Sequence, residues 1–181
     1  MDKEARQATT RRKTSHHYLP QQASPSMHWS KLPITDQIFT HVEPGTSRNT
    51  VIAASALRRH CESVAHPQVR VPLEARHTKL IMTKRGVEKP RLQLAMQTKI
   101  YLPLLFCHWP DDTHLLVDGS HSYCAQFYKG HVTSQRFAEA YIVEQPIWKN
   151  FIVTGLEDVT EEALLASDSG HEALQRYLAS K

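Results

Sequence analysis

The sequence predicts an α+β fold, a small mixed sheet with helices flanking it, and three stretches carry that expectation. Leu115, Leu116 and Val117 form a compact apolar run of strand character, cut off by Asp118-Gly119-Ser120-His121, residues suited to a turn or a helix start. From Ser122 the period changes, with Tyr123 and Phe127 four apart and Cys124 and Tyr128 likewise, and Gly130 stands where a helix stop is expected. Ala138-Glu139-Ala140-Tyr141-Ile142-Val143 then reads as a further strand.

In chain order, residues 1–30 are polar, with Arg11-Arg12-Lys13 and His16-His17, and hold too few apolar side chains to offset the entropy of ordering them. They read as a basic, flexible arm. Residues 31–68 form an N-terminal helical extension. Trp29, Leu32, Ile34, Ile38 and Phe39 open the foldable part and Pro44-Gly45 marks a turn. A helix is expected from Thr50 to about Val64, capped by Ser47 or Asn49, with Ile52, Ala53, Ala56, Leu57, Cys61 and Val64 inward and Arg58, Arg59 and Glu62 outward.

Residues 69–155 form the core. Val69 to Glu74 alternates like a strand, Lys79 to Thr83 is a second short strand candidate, and Lys84 to Pro90 is a charged turn. Arg91 to Lys99 divides the signals, propensity favouring a helix and alternation a strand, and the expectation adopted is helix. Tyr101 to His108 reads as a buried strand that turns through Trp109 to Asp112 into Leu115–Val117, so the two make a hairpin whose far end delivers the 118–121 turn. Trp148 is expected to anchor the core, and Phe151 to Gly155 is a last short apolar run. Residues 156–181 read as acidic C-terminal helices, one using Leu164 and Leu165, the other Ala173, Leu174, Tyr177 and Leu178.

The 181 residues suffice for one domain with extensions, and the formal net charge of +4 is only a weak pointer to a polyanion. Its placement says more, because positive residues crowd the stretch from Arg58 to Lys99 while the tail is acidic. Three cysteines without a C-x-x-C pair argue against a disulfide framework, no charged-then-apolar leader opens the sequence, and the longest apolar run contains Pro103 and is too short for a bilayer. A cytoplasmic protein without a membrane partner is the expectation, with self-association left open.

Strand, polar turn, helix is the grammar of an anion site, since the first amides of a helix lack internal partners and carry the positive end of its dipole. The run Val117-Asp118-Gly119-Ser120-His121-Ser122-Tyr123-Cys124-Ala125, with the strand at 138–143, resembles the ParB/sulfiredoxin-like superfamily. That superfamily's signature is a strand, D/G-G-x-H/R-R, and a helix carrying an alanine. Its known members include partition-protein nucleotide-binding domains, plasmid-encoded fertility-inhibition proteins with ATPase and DNase activity, sulfiredoxin, and a free-serine kinase. The resemblance implies a sulfiredoxin-like sheet, bound ATP or another nucleotide with Mg²⁺, and DNase and ATPase chemistry on DNA in plasmid or phage transfer or partition.

Under that resemblance Gly119, Ser120 and Ser122 hold phosphate, helped by Lys99 and Lys129. His121 moves a proton, Asp118 positions the turn or a metal, and Glu74 is a candidate base. Arg76, Lys79, Lys84, Arg85 and Arg91 are candidate DNA contacts. Where the signature has arginine this chain has Ser122, which lacks a guanidinium's two-point grip on phosphate, and Ser120 stands where sulfiredoxin has its cysteine. Two alternatives therefore stand beside the hydrolase: a non-catalytic DNA- or protein-binding module of the same fold, and a small-molecule kinase. No protein metal centre is expected, because His121 and Cys124 lie one helical turn apart but no second pair of His or Cys residues has ligand spacing.

Overall fold

The computed structural model describes residues 27–42, 49–84, 87–133, 136–156 and 159. The basic arm up to residue 26, Arg85, and the C-terminal helices expected from residue 160 lie outside the described residues.

Its centre is a four-stranded mixed sheet in the order β4-β7-β5-β6. These strands are β4 (Gln68–Pro72), β5 (Leu104–His108), β6 (His114–Asp118) and β7 (Phe137–Val143). The β5–β6 pair is the antiparallel hairpin expected from the sequence, whereas β5 runs parallel to β7 and β4 antiparallel to it. Alternate residues face opposite sides. Leu105, Cys107, Val117, Tyr141 and Val143 join one apolar cluster, and Leu104, Leu116, Ala138 and Ala140 join another. Covered on both faces, β5 and β7 read as nearly unbroken apolar runs, which is why they were legible.

On the first face lies helix α1 (Ala54–Ser63), together with the stacked indoles of Trp109 and Trp148, 4.5 Å apart between ring centroids. Trp148, in the short helix α5 (Gln145–Trp148), is 2 % exposed and donates its Nε1–H to the His108 carbonyl at 2.9 Å, so it is the expected anchor. On the second face, helix α4 (Ser120–Thr133) inserts Tyr123, Cys124 and Phe127 beside Ile81 of α2 (Ala75–Lys84). Helix α3 (Lys89–Thr98) packs against α4 but buries no residue fully. Two small sheets complete the fold, β2 (Phe39–Val42) antiparallel to β3 (Asn49–Ile52) and β1 (Met27–His28) parallel to β8 (Val153–Thr154). Among the described residues no helix is long and apolar enough to cross a membrane.

Four expectations are corrected. Thr50 to Ile52 is strand, not helix: the β-branched run Thr50-Val51-Ile52 pairs with β2, and α1 starts after Ala53. The 31–68 extension is thus a hairpin plus a helix, and Phe39, Ile52, Leu57 and Cys61 share one cluster with the central sheet. Lys79 to Thr83 is helical, because Thr78 and Ile81, three apart, bury one face of α2, and Thr78 N–H donates to the Glu74 carbonyl at 3.0 Å. Gly130 does not stop α4, which continues to Thr133 with Gly130 buried inside it. There the packed interior decides, and the glycine's helix cost of about 1 kcal/mol is outweighed.

Candidate functional site

Asp118 closes β6, and α4 begins two residues later, so the chain must reverse within Gly119. Its φ is +103°, and a Cβ added there would stand 2.9 Å from Leu104 Cδ2. Both the backbone angle and the close approach to β5 demand glycine. The hairpin also slips register between Leu105 and Phe106, beside the Leu105–Asp118 pair. A bulge of this kind re-aims the strand end.

The first helical bond runs from Tyr123 N–H to the Gly119 carbonyl at 2.8 Å. The amides of Ser120, His121 and Ser122 therefore precede any internal acceptor. Among the described residues no side chain accepts from those three amides. The neighbouring carboxylate that would be the natural candidate, Asp118, is engaged elsewhere: Arg58 Nε donates to Asp118 Oδ2 at 2.7 Å, and Arg58 Nη1 donates to the Pro103 carbonyl at 2.8 Å.

A second helix start meets the first. Glu88 is the N-cap residue of α3, without a side-chain cap, and its N–H donates to His121 Nε2 at 3.2 Å. With Nε2 accepting, the ring's remaining proton belongs on Nδ1. Burial pushes the His121 pKa down, the Arg91 charge pushes it further, and the Glu88 carboxylate opposes them. His121 is thus held as a neutral donor where two positive helix ends converge. Arg91 itself pairs with Glu88, Nε to Oε2 at 3.1 Å.

The other expected residues are dispersed. Glu74 donates its N–H to Tyr123 Oη at 3.0 Å, which ties it one helical turn past Ser120, but its carboxylate pairs with Arg76 at 2.6 Å. Lys99 is the left-handed C-cap of α3, and the Lys129 ammonium lies 5.5 Å from the centre of the Tyr101 ring. Each is nine or more residues along its helix from the turn, on the order of 13 Å or more at 1.5 Å per residue, so neither supplies the missing charge there. Arg76, Lys79 and Lys84 are exposed on α2, and Ser120 and Ser122 are half-buried in the turn.

Two groups escaped the sequence reading. Arg58, expected to face outward, is 9 % exposed and lies in the buried stripe Ala54, Leu57, Arg58, Cys61. That i, i+3, i+4, i+7 spacing is a helix face visible in the sequence itself. Glu88, 33 positions before His121, left no local signal.

Among the described residues no three His, Cys, Asp or Glu side chains are grouped to hold a metal ion. Comparison with family models, with curated proteins and with solved structures found no match to this chain.

Proposed function

We propose that this chain is a nucleotide-binding protein of the ParB/sulfiredoxin-like kind that hydrolyses phosphate esters, ATP and DNA, and engages DNA through the basic residues of α2. The observation that carries the reading is the turn at 118–122. The first three amides of α4 and a neutral His121 lie where the starts of α3 and α4 meet, while the adjacent aspartate is occupied by Arg58. The strand–turn–helix order of the superfamily signature is also present here as β6, Gly119 and α4.

Phosphate oxygens take hydrogen bonds from the amides and from Ser120 and Ser122, and His121 Nδ1–H donates to a phosphate or leaving-group oxygen. Mg²⁺, when bound with nucleotide, neutralises phosphate charge. Asp118 keeps the turn in shape. Arg76, Lys79 and Lys84 supply salt-dependent, sequence-independent contacts to a DNA backbone.

A second reading, binding without turnover, is favoured by a specific fact: Nε2 of His121, Glu74 and Asp118 all already have partners. A general base must be within hydrogen-bond reach of the proton it removes. The two readings separate in one experiment, incubation of the purified chain with Mg²⁺ and either ATP or supercoiled plasmid. The hydrolase reading expects ADP and nicked circles, with His121→Ala lowering both rates by about 10²-fold or more. Saturable nucleotide binding with rates equal to the no-protein blank leaves the binding module.

A further inference from the structure

We propose that the acidic segment 160–181 docks on the basic outer surface of α2 and α3 and competes there with DNA, so that the chain regulates its own nucleic-acid contact. This deepens the DNA reading above and rests on it. The surface combines charge with apolar area. Lys79 and Lys84 of α2 and Lys89 and Lys99 at the two ends of α3 are exposed, and among the described residues none of the four has a carboxylate partner. Arg76 and Arg91, by contrast, are paired with Glu74 and Glu88. Leu94 is 59 % exposed and Ile100 78 % exposed in the same stretch, and both helices pack against α4 on one side of the sheet. Phosphates of a DNA backbone account for the lysines. They offer nothing to Leu94 and Ile100, which call for an occupant with apolar side chains of its own.

The segment after Val159 carries both halves of that complement, with carboxylates at Glu161-Glu162, Asp168 and Glu172 beside apolar Leu164-Leu165 and Leu174. It also reaches. The last described residue, Val159, is buried in a cluster with Leu32, Val51 and Val153. From there residues 160–181, fully extended, span up to about 70 Å, well beyond the roughly 40 Å across a compact domain of this length. Tethering holds the segment at an effective concentration on the order of 1 mM. Surface ion pairs too weak to join separate molecules therefore suffice within one.

The test uses the full chain. A short fluorescent DNA duplex is titrated by anisotropy at low salt with the wild type and two variants. One combines Glu161→Gln, Glu162→Gln, Asp168→Asn and Glu172→Gln; the other combines Leu94→Ser and Ile100→Ser. Both should bind DNA about tenfold more tightly than wild type, the factor by which a segment at about 1 mM masks a surface it binds with a Kd of about 0.1 mM. The second variant changes no charge, so a merely solvated basic face predicts no gain from it. Unchanged DNA binding in either variant overturns the inference.

A readout without DNA accompanies it. Zero-length carbodiimide coupling of the wild type, read by mass spectrometry, should join carboxylates of 160–181 to Lys79, Lys84, Lys89 or Lys99 within one molecule, and added DNA should suppress the products. Absence of these couplings while the wild type binds DNA leaves the DNA reading standing and overturns this inference alone. Couplings formed only between differently isotope-labelled copies identify a second copy as the occupant and overturn it as well. If the intramolecular couplings form but neither wild type nor variants bind DNA, the DNA reading is the error, and the competition falls with it.

Discussion

One end of the β5–β6 hairpin carries His108 and His114 and the other leads into His121 of α4, and the two ends set histidine charge in opposite directions. At the 109–113 end, His108 bonds Glu144 through Nδ1 at 2.8 Å and Asp112 through Nε2 at 2.9 Å, and its ring stacks on His114. Those hydrogen bonds, Glu144 first and Asp112 second, raise its pKa. At the 118–122 end, burial and Arg91 lower the pKa of His121, whose Nε2 accepts a backbone N–H. The first ring works as a cation that clasps two acidic segments. The second is kept neutral at the start of α4. The difference lies in whether carboxylates hydrogen-bond the ring: Glu144 and Asp112 do so at His108, whereas at His121 the bonded partner is a backbone N–H.

The largest expected effect breaks the His108 end. Trp148→Ala removes a buried indole, its stack on Trp109 and its bond to the His108 carbonyl, and should cost about 3–5 kcal/mol in denaturant unfolding. Next comes the His121 end. Gly119→Ala forces a side chain onto a φ of +103° and against Leu104, so a loss of about 1–3 kcal/mol is expected, accompanied by weaker phosphate binding. Equal stability of Gly119→Ala and wild type would show that the turn is not constrained as described.

The smallest effect is the most specific to the comparison. His108 has a folded pKa above its unfolded value of about 6.5, so its contribution is fully present below that value and is lost as pH rises through the folded pKa. His121 has a folded pKa below the same reference, so its contribution is present above about pH 6.5 and is lost as pH falls through the folded pKa. His108→Gln should therefore flatten the alkaline side of the stability profile, and His121→Gln the acid side. Unfolding midpoints measured from pH 5 to 8 check both, and a swap of the two slopes would contradict the assignment of charge.

The parts of this molecule that could be read from the sequence are those whose signals are local. The β5, β6 and β7 runs are apolar and end at turn residues, Trp148 is buried as expected, and the turn at 118–121 falls between strand and helix. The residues 50–52 were misread because a β-branched run next to a helical pattern extends that pattern on paper, whereas pairing with β2 decides the matter in space. Helix α2 departs from the expected strand because Leu80 and Met82 stay partly exposed, which blurs its apolar face. The site was half legible. Gly119, Ser120, His121 and Ser122 are neighbours, but Arg58 reaches Asp118 across 60 positions and Glu88 reaches His121 across 33. Contacts between distant segments leave no periodicity to count.

The account stands on anion capture at the start of α4, and amide NMR reads it directly. In a titration of the ¹⁵N-labelled chain with Mg-ATP, the Gly119, Ser120, His121 and Ser122 amide signals should shift saturably and more than any others in the central sheet. Shifts confined to other regions, or none at any concentration of nucleotide, would contradict it.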